Sequence, residues 1–183
     1  MSIDNSRVIP EKKKRRGLFL FQIFVVIGFL AAMWFSFGQN VLAPQNSAAP
    51  EQLQTLALVS TIEGDEALGS VSRLHGTEIN LKSAYIAEYA GNTGRATAWV
   101  SQAVNEKEAA ELLDMMIRGI ARGGAGFSNM QPKTIVDQEV FQVDGPGGAH
   151  FFYIPGGQRE KVIWLTVNAA DVLPILETAV KIF

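Results

Sequence analysis

The strongest β-strand pattern in the chain lies at Glu78–Val104, EINLKSAYIAEYAGNTGRATAWVSQAV. Apolar and polar side chains broadly alternate over Glu78–Ala90 and again over Arg95–Val104, as they do in strands that bury one face. Between these two runs, Gly91–Gly94 (GNTG) supplies residues that tolerate the positive φ angles of a tight turn. The stretch therefore predicts a β-hairpin.

The clearest helix of the domain follows directly, between Asn105 and Gly123. Asn105 is a good N-cap, and Glu108, three residues further on, completes the pattern of a capping box. Gly123 and Gly124 are suited to end the helix. One apolar stripe runs along it at helical spacing, formed by Ala109, Leu112, Leu113, Met116, Ile117 and Ile120. The pattern predicts an amphipathic helix packed on a sheet.

Strand patterns resume after Pro132, and a second helix ends the chain. The three predicted strands are Lys133–Val143, His150–Ile154 and Glu160–Asn168, separated by glycine-rich turns. Asp171 is the predicted N-cap of the last helix, and Pro174 falls in its first turn, where a missing N–H costs little. Its predicted buried stripe comprises Val172, Ile175, Leu176, Ala179 and Phe183.

Two segments precede the hairpin. Glu51–Ile62 fits either a short helix or a strand, and Gly64–Gly76 has no periodicity and is predicted as a loop. Strands joined by short turns pair antiparallel, and amphipathic helices must bury their stripes on the sheet. The predicted fold is therefore α+β: a small domain with a mostly antiparallel five-stranded sheet (ββαβββα) and helices packed on one face.

A membrane anchor is predicted at Leu18–Phe37, LFLFQIFVVIGFLAAMWFSF, which holds no charged residue. Twenty helical residues rise by about 30 Å, the thickness of a bilayer's hydrocarbon core. An uncleaved signal anchor is preferred to a cleaved signal peptide, whose apolar region is usually about 7–15 residues long. The predicted organisation is a basic cytoplasmic tail (1–17), a single transmembrane helix (18–37), a flexible linker (38–50) and an extracytoplasmic α+β domain (51–183).

The charge distribution orients this anchor. Residues 1–17 carry six basic and two acidic side chains, whereas the rest carries ten basic and sixteen acidic ones. The positive-inside rule places the basic side in the cytoplasm, so we expect the bacterial cytoplasmic membrane with the domain outside; in a eukaryote the domain is lumenal or extracellular. The acidic domain argues against nucleic-acid binding. The topology determinants, which also suit anionic lipid headgroups, are Lys12, Lys13, Lys14, Arg15 and Arg16.

Catalytic motifs are not apparent. The chain has no cysteine, which excludes disulfides and thiolate metal sites. His75 and His150 stand alone, outside any metal-binding motif, and we expect each to make a local hydrogen bond. The glycine clusters match turns and not a phosphate-binding loop. We therefore expect a protein that is not an enzyme and that uses no cofactor and no metal.

Two sets of residues are candidates for contacts with partners. Gly28, Ala32 and Ser36 place small side chains on one face of the membrane helix, which allows another helix to pack closely. Phe151, Phe152 and Tyr153, led by His150, must point to both faces of the sheet. If helices cover only one face, part of this aromatic set is exposed and forms a candidate binding surface.

The function expected from these features is a single-pass, membrane-anchored protein whose extracytoplasmic domain is a non-catalytic binding or accessory subunit. Its partners are the bilayer itself and a protein in the membrane or on its outer side, within a membrane complex. One alternative is a membrane-tethered domain that binds a small ligand or lipid between sheet and helix. A second alternative is an enzyme of unrecognised type.

Overall fold

The computed structural model describes residues 48–75, 79–123 and 126–183, in which eight strands and three helices follow the order ββαββαββββα. The helices are α1 (Gly64–His75), α2 (Glu106–Ala121) and α3 (Leu173–Ile182). The strands are β1 (Gln52–Leu53), β2 (Leu56–Glu63), β3 (Leu81–Gly91), β4 (Gly94–Ala103), β5 (Ser128–Ile135), β6 (Gln138–Gly145), β7 (Gly148–Tyr153) and β8 (Lys161–Ala169). The predicted α+β class with a mostly antiparallel sheet is confirmed.

The described strands form one sheet in the order β1-β2-β3-β4-β8-β7-β6-β5. Every neighbouring pair in this sheet is antiparallel. The first four strands are neighbours in chain order, and so are the last four. The two halves join where β4 pairs with β8, in a register that sets Trp99 opposite Trp164. This pairing brings together segments that are far apart in the sequence.

The β3–β4 hairpin and helix α2 follow local sequence signals and confirm the predictions for both. Gly91 pairs with Gly94 around the turn, and a Cβ on Gly94 would lie only 2.5 Å from the carbonyl oxygen of Asn168. Glycine at position 94 therefore allows β8 to approach β4 closely. At the start of α2, the Asn105 side chain accepts a hydrogen bond of 3.0 Å from the backbone N–H of Glu108.

The predicted number of five strands was wrong. Glu51–Ile62 contains β1 and most of β2, and the single strand predicted at Lys133–Val143 is a hairpin between β5 and β6. Its turn residues, Val136 and Asp137, have φ angles of +50° and +61°. A β-branched residue rarely adopts such a φ, so the sequence gives no turn signal at this point.

The loop predicted at Gly64–Gly76 was also wrong, because Gly64–His75 is helix α1. Among its described side chains, the buried ones are Ala67, Ser70 and Val71, which lie at helical spacing. Two of the three are small and one is polar, so the stripe is weak in a hydropathy pattern. The helix packs against β2 and β3.

The prediction that helices pack on one face was wrong as well. Helix α3 contacts both edge strands of the sheet, β1 and β5. One short helix reaches both edges only if the sheet curves around it, so the face that carries α3 is concave. Its residues pack with Ile163 and Leu165 of β8, whereas α2 packs with Val162 and with Phe152, which stacks on Trp164. Because neighbouring residues of a strand point to opposite faces, α2 lies on the convex face.

The beginning of α3 differs in one respect from the prediction. Val172, and not Asp171, occupies the N-cap position, and no side chain caps the helix there. Pro174 lies in the first turn, as predicted. The predicted stripe is confirmed, since four of its members are buried in the concave core and Val172 packs against them.

Residues 1–47 lie outside the described residues, and with them lie the predicted tail, the predicted membrane helix and most of the predicted linker. In the part of the chain that the structure describes, no helix is both long and apolar enough to cross a membrane. The last predicted linker residues are described: Ala49 is buried against the concave core, and the backbone N–H of Ala48 donates to Glu63 Oε1 at 3.2 Å.

Candidate binding surface on the convex face

The aromatic set predicted as a binding surface lies in the interior. His150, Phe151, Phe152 and Tyr153 are between 0% and 4% exposed. Strand β7 lies between β6 and β8, and helices cover both faces of the sheet, so neither face of β7 is open. These four residues therefore do not form an exposed surface. The other predicted contact residues (Gly28, Ala32, Ser36 and Lys12, Lys13, Lys14, Arg15, Arg16) lie outside the described residues.

His150 holds the turn between β6 and β7. Its Nε2 lies 2.8 Å from the carbonyl oxygen of Pro146, which can only accept, so Nε2 carries the proton. Its Nδ1 therefore accepts a hydrogen bond from the hydroxyl of Thr166, at 3.1 Å. Burial lowers the pKa of His150, and hydrogen bonds with the backbone of Pro146 and Gly145 partly oppose this. The expected local hydrogen bond is confirmed for His150; the side chain of His75 is not among those described.

A row of aromatic side chains crosses the convex face from β6 to β4. Phe141 stacks on Phe152, and Phe152 stacks on Trp164, with 5.3 Å between ring centroids in both pairs. Phe127 packs edge-on against Trp164, with 5.1 Å between the ring centroids. The β4–β8 register places Trp99 next in this row, and its side chain is partly exposed. The stacked row therefore ends in an indole that solvent can reach.

A polar row lies beside the aromatic row on the same face. Glu88 is opposite Thr97, and Thr97 is opposite Thr166, which in turn is opposite His150. Burial raises the pKa of Glu88, and the nearby guanidinium of Arg95 opposes this rise. Glu88 is thus a partly dehydrated carboxyl group near the middle of the sheet.

We call Glu88, Thr97, Trp99 and Thr166 the Trp99 surface. All four are partly exposed, and Glu88 is a diagonal cross-strand neighbour of Trp99, within reach of the same bound group. An indole face attracts flat apolar groups and cations, and a carboxylate accepts hydrogen bonds from cations and other donors. Among the described residues, no three histidine, aspartate or glutamate side chains are grouped to hold a metal ion. The Trp99 surface thus offers an aromatic face and a carboxylate side by side to a bound group.

The concave face has a different polar feature. All three tyrosines of the chain, Tyr85, Tyr89 and Tyr153, lie there. Tyr85 and Tyr153 share one transverse row, which runs through Val100 and Ile163. The hydroxyls of Tyr89 and Tyr153 are buried and have no hydrogen-bond partner among the described residues. Each buried, unbonded hydroxyl costs about 1–3 kcal/mol.

Burial also makes these phenols harder to ionise. It raises the pKa of Tyr85 to about 12, with the negative charge of Glu63 as a second cause. Burial raises the pKa of Tyr89 and Tyr153 as well, with Tyr85 as the second cause for both. The concave face thus holds protonated phenols whose hydroxyls can donate hydrogen bonds at every physiological pH.

Part of the Trp99 surface could be found from the sequence. The predicted turn at Gly91–Gly94 fixes the hairpin register, which sets Glu88 opposite Thr97 and Ile86 opposite Trp99. The pairing of β4 with β8 carries no local signal, and neither does the burial of β7 from both sides. The sequence therefore pointed to the aromatic residues of β7 and missed Trp99.

No protein-family model matches the chain, and neither a curated protein nor a solved structure is significantly similar to it. The class that the described residues define is an α+β domain whose eight-stranded antiparallel sheet curves around its last helix.

Proposed function

We propose that this chain is a single-pass membrane protein whose domain lies outside the cytoplasm and acts as a non-catalytic binding or accessory subunit of a membrane complex. The apolar stretch Leu18–Phe37 and the basic residues before it support the anchor and its orientation. The tether keeps the domain close to a partner in the membrane or at its outer side.

The observation that carries the binding role is the partly exposed Trp99 beside the partly buried Glu88. Tryptophan is enriched among the residues that dominate the energetics of protein interfaces. A partner that covers this surface gains the apolar area of the indole. It can also place a cation or another hydrogen-bond donor at the carboxylate.

A second contact is proposed within the membrane. Gly28, Ala32 and Ser36 would let a partner's transmembrane helix approach closely, while Lys12–Arg16 fix the orientation of the anchor. The two contacts act on one partner through a short linker, so each raises the effective concentration of the other.

The test is the native mass of the full-length protein in mild detergent, together with identification of the proteins that copurify. We expect a defined complex that Trp99→Ala and Glu88→Gln weaken and that leucine at positions 28, 32 and 36 weakens further. Met115→Ala is the matched control, because Met115 is 41% exposed and lies on α2, outside the Trp99 surface. A lone monomer, or equal losses in Met115→Ala and Trp99→Ala, would contradict the proposal.

A second candidate function is the binding of a small ligand or lipid by the tethered domain. The unbonded hydroxyls of Tyr89 and Tyr153 beneath α3 favour it. An enzyme of unrecognised type is the weakest candidate. His150, one of its two histidine candidates, already uses both ring nitrogens in hydrogen bonds, one with Pro146 in the β6–β7 turn and one with Thr166 of β8.

A further inference from the structure

The carboxylate of Glu88 is partly buried but has no direct partner. No hydrogen bond or ion pair among the described residues includes it, although Arg95 lies diagonal to it on the side away from Trp99. Burial raises the pKa of Glu88, and the charge of Arg95 opposes this as the smaller cause. A carboxylate that has lost part of its water without gaining a hydrogen bond is stabilised by a donor from another molecule.

The hydroxyl of Thr166 faces the same surface as a hydrogen-bond acceptor. Nε2 of His150 donates its proton to the carbonyl oxygen of Pro146, so Nδ1 accepts a hydrogen bond of 3.1 Å from the Thr166 hydroxyl. A hydroxyl has only one proton, so the remaining capacity of Thr166 is to accept. Thr166 is partly exposed, so a group from outside can reach it.

Thr97 lies between these two acceptors. The strand register sets Thr97 opposite Glu88 on β3 and opposite Thr166 on β8, and Trp99 is the next residue of β4 on the same face. Neighbouring strands are about 4.8 Å apart, so the backbones of Glu88 and Thr166 are about 10 Å apart, on either side of Thr97. The Trp99 surface therefore combines an indole with acceptors on both sides of one strand.

A guanidinium group matches this combination. It is planar and stacks on aromatic faces, it carries a positive charge for the carboxylate, and it has five N–H donors and no acceptor. A lysine ammonium has the charge and the donors but no planar face for the indole. The charge of the chain also favours a basic partner, since residues 18–183 carry ten basic and sixteen acidic side chains.

We infer that the Trp99 surface binds an arginine side chain of the protein partner, whose guanidinium stacks on Trp99 and donates hydrogen bonds to Glu88 and Thr166. The arginine supplies the donor that Glu88 lacks, and its stacking removes part of the indole from water. This inference rests on the proposed function, because it names the chemistry by which the partner contacts the Trp99 surface.

The probe is N-acetyl-L-arginine N-methylamide, whose only charge is the guanidinium, added to the full-length protein in dodecyl maltoside. Nuclear magnetic resonance follows the indole N–H of Trp99, which Trp99→Phe identifies among the three tryptophans of the chain. We expect a saturable shift with a Kd on the order of 1 mM, the scale of a small ligand with few contacts. The citrulline analogue, which keeps the shape without the charge, should bind about tenfold more weakly, and the lysine analogue about threefold more weakly.

Variants locate the contact on the protein. Glu88→Gln should weaken binding of the arginine probe by about tenfold, because it removes the charge and keeps the shape of the side chain. Glu139→Gln is the matched control: Glu139 is an exposed glutamate on β6, outside the Trp99 surface, and its affinity should stay within about twofold of the wild type. Thr166→Val should weaken binding by about threefold, whereas Thr166→Ser, which keeps the hydroxyl, should not.

The inference would be overturned by an indole of Trp99 that shows no saturable shift, by equal affinity for the arginine and citrulline probes, or by equal losses in Glu88→Gln and Glu139→Gln. These results can be told apart from failure of the accessory role. A defined complex that Trp99→Ala weakens, with no binding of the arginine probe, would overturn the arginine contact and leave the accessory role in place. A lone monomer that binds the arginine probe at Trp99 would support the guanidinium site and contradict the accessory role.

Discussion

The two faces of the sheet are formed by alternate residues of the same strands, yet they differ in whether their buried polar atoms have hydrogen-bond partners. On β7, His150 points to the convex face and has both ring nitrogens hydrogen-bonded. Three residues along, Tyr153 points to the concave face, and its hydroxyl has no partner among the described residues. On the convex face, the fold itself satisfies the buried His150. On the concave face, the hydroxyls of Tyr89 and Tyr153 are left without a hydrogen-bond partner among the described residues.

The largest effect is expected from breaking the aromatic row. Phe152 is fully buried and stacks on a ring at each side, so Phe152→Ala should lower the free energy of unfolding by about 3–5 kcal/mol. Phe141→Ala is the matched control, because Phe141 is partly exposed and stacks on one neighbour only. In chemical denaturation, Phe141→Ala should show a clearly smaller loss in the free energy of unfolding than Phe152→Ala. Equal losses would show that the row does not pack as described.

A smaller effect is expected from the histidine on the same strand. His150→Gln removes one of two bonded ring nitrogens and should lower the free energy of unfolding by about 1–3 kcal/mol at pH 7.5. Burial lowers the pKa of His150 from its ordinary value of 6.5, so the unfolded chain binds the proton first as pH falls. The contribution of His150 is therefore fully present above about pH 6.5 and decreases below it.

Denaturation curves of the wild type and His150→Gln between pH 7.5 and 5 measure this contribution. The difference between the two proteins should shrink as the pH falls. His75→Gln, which removes the other histidine of the chain, should keep the pH dependence that His150 causes. A constant difference across the range would show that His150 is not buried in the neutral form.

The smallest effect concerns a turn that belongs to neither buried face. Val136 is 47% exposed and has a φ of +50°, in a two-residue turn where asparagine is favoured. Val136→Asn should raise the free energy of unfolding by about 1 kcal/mol, because it relieves the strain of a β-branched residue. Thermal unfolding measures the change, with Thr134→Asn as a control on the adjoining strand. A loss of stability in Val136→Asn would argue against the β5–β6 hairpin.

Local sequence signals predicted the helices and strands that carry such signals, whereas the order of the strands in the sheet depends on long-range pairing. The turn at Gly91–Gly94 and the cap at Asn105 lie within a few residues of what they specify, so the β3–β4 hairpin and α2 were found. The turn at Val136 lacks glycine or asparagine, and α1 buries mainly small side chains, so both were missed. No pattern along the chain indicates that β4 pairs with β8.

The candidate sites depend on that same long-range information. The aromatic residues of β7 were correctly predicted to point to both faces, but the exposure expected for them required helices on one face only. Trp99 is a candidate for binding because β8 lies beside it and because α2 covers the other end of the aromatic row but leaves Trp99 partly exposed. The unbonded state of Tyr89 and Tyr153 follows from what α3 covers, which the sequence does not specify.

The most direct test of the contrast between the faces is the free energy of unfolding of the Tyr89→Phe, Tyr153→Phe double variant. If both hydroxyls are buried without a partner, their removal should stabilise the protein, by about 1–3 kcal/mol for each. Tyr85→Phe should change the stability little. A double variant less stable than the wild type would mean that the hydroxyls are already bonded, and would contradict the account of the concave face.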